Sequence, residues 1–415
     1  MFNTVSVIGL GYIGLPTAAV IASRGIKVIG VDVNQHAVDT INQGKIHIVE
    51  PGLEALVHEV VHTGKLRATT QVEPTDAFLI AVPTPFKGDH EPDLAYVESA
   101  TRAIATVLKK GDLVILESTS PVGSTEQMAQ WLSQARPDLT FPHQTGELAD
   151  INLAYCPERV LPGKVIHELV ENDRVVGGMT PQCAARAAAL YKAFVKGDCI
   201  ISNARTAEMC KLTENSFRDV NIAFANELSL ICDELKINVW ALISLANRHP
   251  RVNILQPGPG VGGHCIAVDP WFIVDKSPKT ARLIRTAREV NDHKPQHVID
   301  KVKAAAAKFK NPKIACLGLS FKADIDDLRE SPSLEIVEQL KKLNLGKLYV
   351  AEPHISQLPA SLKAENVEFA IAEDAVAHAS IVLLLVNHQK FSGIDLGMLS
   401  NKFVIDTRGM WGGVS

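Results

Sequence analysis

The sequence contains little cysteine, and the few cysteines show no pattern of pairing. Seven are present among 415 residues, and no two of them form a C-x-x-C pair; they are Cys156, Cys183, Cys199, Cys210, Cys232, Cys265 and Cys316. An odd, widely spread set argues against both a disulfide framework and a structural zinc site. We therefore expect no bound metal, and only Cys265 lies in an unusual local sequence.

Long apolar runs and an excess of one charge are also lacking. The longest aliphatic run, residues 381–386, is far shorter than the ~18 residues that a membrane helix requires. The formal net charge is −4, without a long block of one sign, so nucleic acid and acidic membrane surfaces are not expected partners. No export signal precedes the first strand-like run, and we expect a cytoplasmic protein.

The first strong motif is the stretch "VSVIGLGYIGLPTAAVIASRGIKVIGVD", residues 5–32. It predicts a strand, a glycine turn, a helix and a second strand, with Gly9, Gly11 and Gly14 at the spacing of the dinucleotide-binding fingerprint. The N–H groups at the helix start attract phosphates. Asp32 can accept hydrogen bonds from the ribose hydroxyls and would repel a 2′-phosphate, which favours NAD over NADP.

Three further strand-like runs end in loops with small polar or acidic residues. Thr84, Thr119 and Glu158 occupy these loops. Ligands of open parallel sheets bind beyond the carboxyl ends of the strands, so these residues are candidates for a site. An ordinary capping or turn role is the alternative for each.

A long helix is predicted from Arg205 to about Ile237, where no glycine or proline occurs and apolar residues recur every three or four positions. At 1.5 Å per residue it would extend roughly 50 Å, which predicts that it bridges two domains and offers a face for dimerisation. Lys211 and Asn215 lie one turn apart, with Glu208 and Arg218 near the same side; a solvated polar face is the alternative.

A second strand–loop–helix pattern begins near residue 310. Ser331 and Pro332 predict a helix start, and the following strand-like runs predict a second α/β domain. Because this region lacks a complete G-x-G-x-x-G, we expect it to bind something other than a dinucleotide. Upstream, "QPGPGVGGHCIAVDP" (256–270) surrounds Cys265 with glycine and proline; such a run is otherwise typical of a simple turn with a small buried residue.

Taken together, the motifs "GLGYIGLP", "VPTP", "STSPVGST", "AEMCKLTEN", "GPGVGGHCIAVDP" and "FKADIDDLRESPS" resemble the UDP-glucose/GDP-mannose dehydrogenase family over nearly the whole chain. The resemblance implies an α/β fold with two Rossmann-like parallel-sheet domains joined by a long central helix and a helical middle domain. The implied domains are an NAD-binding domain (1–203), a central helical, dimerisation and catalytic-cysteine domain (204–308) and a UDP-sugar-binding domain (309–415). A homodimer through the middle domain is implied as well.

The chemistry implied by the resemblance is an NAD-dependent, four-electron oxidation of a sugar C6 alcohol to a carboxylate through a thiohemiacetal and a thioester on Cys265. Lys211 would stabilise oxyanion character at C6 with Asn215 as a second donor, Asp269 would orient water, and Glu158 would act as a general base beside Thr119. The implied cofactor-binding residues are Gly9, Gly11, Tyr12, Ile13, Gly14, Asp32, Thr84, Thr119, Arg329 and Arg408. The implied substrate-binding residues are Glu158, Arg159, Val160, Lys211, Asn215, Arg218, His249, Arg251, Gly262 and Lys322.

Within the family, His264, Val268 and the segment "NRHPRVNI" are similar to the acetamido-sugar branch. The expected substrate is UDP-N-acetyl-D-mannosamine, with UDP-N-acetylglucosamine or UDP-glucose as alternatives, and the expected product is a precursor of a cell-surface polysaccharide such as enterobacterial common antigen.

Two rival classes share part of this pattern. The 6-phosphogluconate and β-hydroxyacid dehydrogenases also combine a dinucleotide fold with a Lys-x-x-x-Asn helix, but they need no cysteine and usually end in helices. A non-catalytic nucleotide-sugar or NAD sensor could keep the fold alone. The second α/β domain after residue 310 counts against the first class, and the joint presence of Lys211, Asn215, Cys265 and Asp269 counts against the second.

Overall fold

The computed structural model of the chain describes residues 2–88, 90–161, 163–263 and 265–412. The chain forms two compact units, Met1–Glu214 and Asn215–Ser415. The boundary between them lies inside a helix of 32 residues, Ala204–Leu235. That helix agrees with the one predicted over 205–237 and, at 1.5 Å per residue, extends about 48 Å.

The first unit is built on an eight-stranded sheet in the order β10-β9-β8-β7-β4-β1-β2-β3, and β5 and β6 form a separate hairpin. Neighbours in the large sheet are parallel except β8 and β9, which pair antiparallel. The strands are β1 (Thr4–Ile8), β2 (Lys27–Val31), β3 (Leu66–Thr69), β4 (Ala77–Ile80), β5 (Phe86–Lys87), β6 (Glu91–Pro92), β7 (Leu113–Leu116), β8 (Asn152–Tyr155), β9 (Arg174–Gly178) and β10 (Cys199–Asn203).

Apolar side chains on both faces of this sheet pack against helices. Ala77 and Leu79 of β4 belong to one core cluster, whereas Phe78 and Ile80 belong to the other, as the two-residue period of a strand requires. The helices are α1 (Gly14–Ser23), α2 (Gln35–Asn42), α3 (Leu53–His62), α4 (Ala95–Ala105), α5 (Ser124–Ala135), α6 (Pro142–Thr145), α7 (Val165–Glu171) and α8 (Pro181–Tyr191). This is the doubly wound arrangement that binds ligands beyond the carboxyl ends of its strands.

The second unit contains the rest of α9 (Ala204–Leu235), further helices and a five-stranded parallel sheet in the order β13-β12-β11-β14-β15. The helices are α10 (Val239–Ala246), α11 (Asp269–Lys276), α12 (Arg282–Ala306), α13 (Pro332–Leu343) and α14 (Ala372–His378). The strands are β11 (Lys313–Leu317), β12 (Lys347–Ala351), β13 (Val367–Phe369), β14 (Ile381–Leu384) and β15 (Phe403–Asp406).

The predicted fold class is confirmed: two parallel-sheet α/β layers and a long central helix are present. The predicted start of α13 is confirmed too, because the Ser331 side chain accepts a hydrogen bond from the Leu334 N–H and Pro332 opens the helix. The antiparallel pairing of β8 and β9 was not predicted. Over the described residues, no helix is long and apolar enough to cross a membrane.

Candidate functional site

The turn between β1 and α1 has the backbone that the fingerprint requires. Gly9 has φ +90°, and a Cβ there would lie 2.6 Å from the Ala81 carbonyl oxygen. A Cβ on Gly14 would lie 1.7 Å from the Gly9 carbonyl oxygen, whereas one on the exposed Gly11 would meet nothing within 4 Å. The turn is therefore closed on the protein side and open at Gly11, which fits a dinucleotide whose pyrophosphate approaches the N-terminus of α1.

Asp32, at the end of β2, ties this turn to the sheet. Its Oδ2 accepts a hydrogen bond of 2.8 Å from the Leu10 N–H, and its Oδ1 accepts one of 2.9 Å from the Asn34 N–H. Each carboxylate oxygen can accept a second hydrogen bond, so Asp32 keeps capacity for ribose hydroxyls. Tyr12 is exposed and Ile13, the residue before α1, is half-buried.

The polar loops after β4, β7 and β8 also hold the residues that the sequence singled out. The Thr84 hydroxyl donates a 2.5 Å hydrogen bond to the Thr119 carbonyl oxygen, so these two residues are brought together. Glu158 is buried and forms a 2.6 Å ion pair with Arg174. Arg159 forms an ion pair of 2.9 Å with Glu214, and Val160 is half-buried.

Along α9, Lys211 and Asn215 are half-buried and Arg218 is exposed. Glu208 does not belong to a solvated face. It is fully buried and accepts hydrogen bonds from the Gly123 N–H (2.7 Å), the Thr125 N–H (2.8 Å) and the Thr125 hydroxyl (2.6 Å). Burial raises the pKa of Glu208, and its carboxylate satisfies N–H groups at the start of α5.

Cys265 is exposed and lies on the turn that leads into α11. Its carbonyl oxygen accepts hydrogen bonds from the N–H groups of Val268 (3.1 Å) and Asp269 (2.9 Å). The buried Asp269 carboxylate accepts a 2.5 Å hydrogen bond from the Asn215 amide. Three of the predicted catalytic residues are thus linked within the second unit. His264, one of the residues similar to the acetamido-sugar branch, lies outside the described residues.

The glycines before Cys265 admit protein backbone at close range. A Cβ on Gly262 would lie 2.3 Å from the Glu330 carbonyl oxygen, and Gly263 has φ +87° with Phe321 3.1 Å from its ideal Cβ position. In the structure these glycines pack against the segment between β11 and α13. Farther upstream, the Gly258 N–H donates a 2.9 Å hydrogen bond to the buried Asn226.

The other predicted binding residues of the second unit lie in loops. Lys322 is exposed, Arg329 forms a 2.7 Å ion pair with Asp327, and the exposed His249 and Arg251 follow α10. Arg408 is half-buried and its Nε donates to the Leu385 carbonyl oxygen at 3.0 Å. Burial lowers the pKa of Arg408 to about 10.

One group of potential metal ligands occurs in the described part of the second unit. Asp324, His354 and His388 offer atoms within 4.8 Å of one another. However, His388 Nδ1 accepts a hydrogen bond from the Asp324 N–H at 2.9 Å, and His388 Nε2 lies 3.0 Å from Glu352. Both ring nitrogens of His388 therefore already have protein partners, and no ion is needed to explain this cluster.

Sequence reasoning missed the residues that surround Glu158. Arg174, Glu117 and Tyr191 are buried with it, although they come from three different elements. The available signals were Arg174, a charged residue that begins an apolar strand, and Glu117, a glutamate directly after a buried strand. Only the sheet topology brings them together.

Three family models match the chain in order along its length. They describe the NAD binding domain (residues 3–195), the central domain (205–293) and the UDP binding domain (315–413) of the UDP-glucose/GDP-mannose dehydrogenase family.

Curated relatives match over almost the full length of both chains. An NDP-N-acetyl-D-galactosaminuronic acid dehydrogenase of Ralstonia nicotianae is 68% identical over 410 residues, covering 99% of this chain and 96% of the relative. A UDP-N-acetyl-D-mannosamine dehydrogenase of Escherichia coli K12 is 65% identical over 418 residues, covering 99% of each chain. A solved UDP-D-ManNAc dehydrogenase from Pyrococcus horikoshii is 38% identical with a TM-score of 0.86, covering 98% of this chain and 96% of that one.

Proposed function

The chain belongs to the UDP-glucose/GDP-mannose dehydrogenase family and is an NAD-dependent UDP-sugar dehydrogenase; from this premise we propose that it oxidises the C6 alcohol of UDP-N-acetyl-D-mannosamine to the carboxylate. The observation that carries the proposal is the linkage of Cys265 and Asp269, at the start of α11, with Asn215 on α9. A thiol on an exposed turn, one helical turn from a carboxylate held by an amide, suits covalent capture of an aldehyde.

The overall reaction removes two hydrides and three protons from the alcohol and one water. When bound, NAD accepts a hydride in each of the two oxidations. After the first oxidation the Cys265 thiolate attacks the aldehyde carbon and forms a thiohemiacetal; the second oxidation gives a thioester, which water hydrolyses to the carboxylate and the thiol. Lys211 and Asn215 stabilise the negative charge that develops on the C6 oxygen.

Acid–base roles fall to the two buried carboxylates among the candidates. Asp269 orients water near Cys265, and Glu158 accepts the proton of the water that hydrolyses the thioester. We assign Thr119 to the same reaction.

Binding roles follow the two sheets. We assign the dinucleotide to Gly9, Gly11, Tyr12, Ile13, Gly14, Asp32, Thr84 and Thr119, with Arg329 and Arg408 as further candidates. We assign the UDP-sugar to Glu158, Arg159, Val160, Lys211, Asn215, Arg218, His249, Arg251, Gly262 and Lys322. The corresponding domains are 1–203, 204–308 and 309–415.

The acetamido sugar is the part of the proposal with a second candidate. Relatives at 64–65% identity are UDP-N-acetyl-D-mannosamine dehydrogenases, whereas two from Ralstonia at 68% are NDP-N-acetyl-D-galactosaminuronic acid dehydrogenases. Both names describe acetamido-sugar chemistry, which supports that branch over UDP-glucose. A uronic acid of either kind would serve as a precursor of a cell-surface polysaccharide, such as enterobacterial common antigen, made from cytoplasmic nucleotide sugars.

A homodimer through the central helix is supported by an apolar stripe on α9. Phe217, Phe224, Ile231 and Leu235 are 69%, 51%, 44% and 64% exposed and recur at intervals of seven, seven and four residues. This spacing places them along one face, and large apolar side chains exposed together favour burial by a second copy. Light scattering that gave the mass of a single 44.9 kDa chain would contradict the dimer.

The test of the substrate is NADH production by the purified protein with UDP-N-acetyl-D-mannosamine, UDP-N-acetylgalactosamine, UDP-N-acetylglucosamine, UDP-glucose and GDP-mannose. We expect the highest kcat/KM with UDP-N-acetyl-D-mannosamine and two NADH per sugar. A highest value with UDP-N-acetylgalactosamine would establish the second candidate, and one with UDP-glucose would refute the acetamido-sugar assignment.

The test of the mechanism is Cys265→Ser. Because a hydroxyl is scarcely ionised near neutral pH, turnover to the uronic acid should fall by about three orders of magnitude or more. The first oxidation should persist in single turnover, with the aldehyde trapped by a hydrazine. Cys210→Ser is the matched control at a second cysteine that forms no disulfide and is half-buried, and it should keep wild-type turnover. Near wild-type formation of uronic acid by Cys265→Ser would show that the cysteine is structural.

A further inference from the structure

A compact cluster of ionisable side chains surrounds Glu158 in the first unit. Glu117 directly follows β7, Cys156 follows β8, Arg174 begins β9 and Tyr191 ends α8. Glu158 is 8% exposed, and the other four are at most 2% exposed. The cluster is therefore shielded from water and lies beyond the carboxyl end of β8.

The contacts within the cluster link Glu117 to Glu158 by way of Arg174 and Tyr191. The Arg174 Nη1 donates to Glu158 Oε2 at 2.6 Å, and the Tyr191 hydroxyl donates to Glu117 Oε1 at 2.6 Å. The Arg174 guanidinium lies over the Tyr191 ring, 5.5 Å from its centroid. The second oxygen of Glu158 accepts a 2.6 Å hydrogen bond from the Arg159 N–H.

Two atoms of the cluster lack a hydrogen-bond partner among the described residues. Glu117 Oε2 and Arg174 Nε are buried without one. Two carboxyl groups thus share the field of one guanidinium, and only Glu158 is in direct contact with it. A second negative charge buried beside this pair is costly, so burial favours the protonated form of Glu117.

Glu117 is the member of the cluster that changes charge near neutral pH. Burial raises its pKa to about 7; Arg174 lowers the pKa, Glu158 raises it and the Tyr191 hydrogen bond lowers it. Burial raises the pKa of Cys156 to about 12 and raises that of Tyr191 as well, so both stay neutral. The Arg174 guanidinium keeps its charge, because Glu158 and the other acids outweigh the effect of burial and raise its pKa.

We propose that Glu117 is a positioning residue for Glu158: once Glu117 is ionised, it competes for the Arg174 guanidinium and makes Glu158 a stronger base. The inference rests on the proposed function, in which Glu158 takes a proton from the water that hydrolyses the Cys265 thioester. With Glu117 protonated, Arg174 neutralises Glu158 alone and weakens it as a base. With Glu117 ionised, the cluster carries a net negative charge, which a proton on Glu158 relieves.

The consequence is an increase in the hydrolysis rate, caused by ionisation of Glu117, as the pH rises through about 7, the pKa of Glu117. The increase exists because the raised pKa leaves Glu117 protonated below this value and ionised above it. Since a stronger base accelerates proton removal, we expect an increase of about three- to tenfold.

The experiment follows decay of the Cys265–sugar thioester in rapidly quenched full-length enzyme by intact mass spectrometry, between pH 5.5 and 9. Wild type and Glu117→Gln should decay at the same rate at pH 6, and Glu117→Gln should be about three- to tenfold slower at pH 8.5. Single-turnover formation of the first NADH should be unchanged. A uniform loss of rate at every pH would mean a structural role and would overturn the proposal.

Two variants bracket this result. Tyr191→Phe removes a hydrogen bond that lowers the pKa of Glu117, so the increase in hydrolysis rate should move to higher pH. This variant also tests the proposal if Glu117→Gln fails to fold. Cys156→Ser changes no charge in this pH range and should reproduce the wild-type profile, and a shifted profile there would contradict the argument.

The outcomes separate the inference from the function on which it rests. Absence of any covalent sugar adduct on wild-type Cys265 would refute the proposed mechanism, and this inference with it. An adduct whose decay shows the same pH profile in wild type, Glu117→Gln and Tyr191→Phe would leave the mechanism in place and refute the role of Glu117 alone.

Discussion

The loop after β1 and the loop after β11 leave their sheets through the same kind of turn. In the first unit, Gly9 directly follows β1 with φ +90°, and the next N–H, that of Leu10, donates 2.8 Å to Asp32 at the end of β2. The carboxylate thereby fixes the direction in which the chain leaves the sheet.

The second unit has the same arrangement of a glycine turn and a carboxylate, formed by other residues. Gly318 directly follows β11 with φ +94°, and the Leu319 N–H donates 2.7 Å to Glu352 at the end of β12. A Cβ on Gly318 would lie 2.4 Å from the Val386 Cβ, so glycine is required there by both conformation and space.

The two turns differ in what fills them. Asp32 is partly exposed, and α1 begins soon after the Gly9 turn, at Gly14, without a side-chain cap. Glu352 is 3% exposed and lies 3.0 Å from His388; burial raises its pKa, but the hydrogen bonds from His388 and Leu319 outweigh burial and hold the pKa below its ordinary value. The first turn is open at Gly11, where we propose that the pyrophosphate of NAD binds, whereas the second is closed by the buried His388.

The largest expected effect comes from adding a methyl group to each turn. Gly9→Ala and Gly318→Ala should each lower the free energy of unfolding by roughly 3 kcal/mol, because strain at positive φ adds to the steric overlap. Thermal unfolding with and without NAD then distinguishes the turns, since a ligand that binds the folded state raises Tm. Gly9→Ala should lose the increase in Tm caused by NAD, and Gly318→Ala should keep it.

Gly111→Ala is the matched control for strain alone. Gly111 has φ +90°, but its ideal Cβ would meet nothing within 4 Å. It should be destabilised by only about 1 kcal/mol. If Gly9→Ala kept the full increase in Tm caused by NAD, the turn at Gly9 would not be part of the NAD-binding site.

A smaller effect is expected from neutralising the acid of each turn. Asp32→Asn removes the charge that repels a 2′-phosphate, so the preference for NAD over NADP, measured as the ratio of kcat/KM values, should fall about tenfold. Glu352→Gln should destabilise the fold but leave that ratio unchanged. An unaltered ratio in Asp32→Asn would contradict a contact between Asp32 and the ribose.

Features set by local sequence were predictable. The first glycine turn and the Ser331 cap depend on residues within a few positions of one another, and both appear as expected. Helix α9 was predictable because its apolar period is sustained and no glycine or proline interrupts it.

Features set by long-range pairing were not. Glu208 reads as a polar residue on a helix face, yet it is buried because it binds N–H groups 83 and 85 positions away. The Glu158–Arg174 pair depends on β9 lying antiparallel beside β8. Neither arrangement has a signature in the local sequence, because each partner alone is an ordinary charged residue.

The buried Glu208 also determines how short a fragment of the first unit can be while keeping its contacts. The family model of the NAD binding domain ends at residue 195, before β10 and before Glu208. A fragment ending there would lose an edge strand and leave the Gly123 and Thr125 N–H groups without their carboxylate. A coding segment that recombination could exchange between homologous genes without breaking these contacts therefore extends past residue 208 and ends within α9.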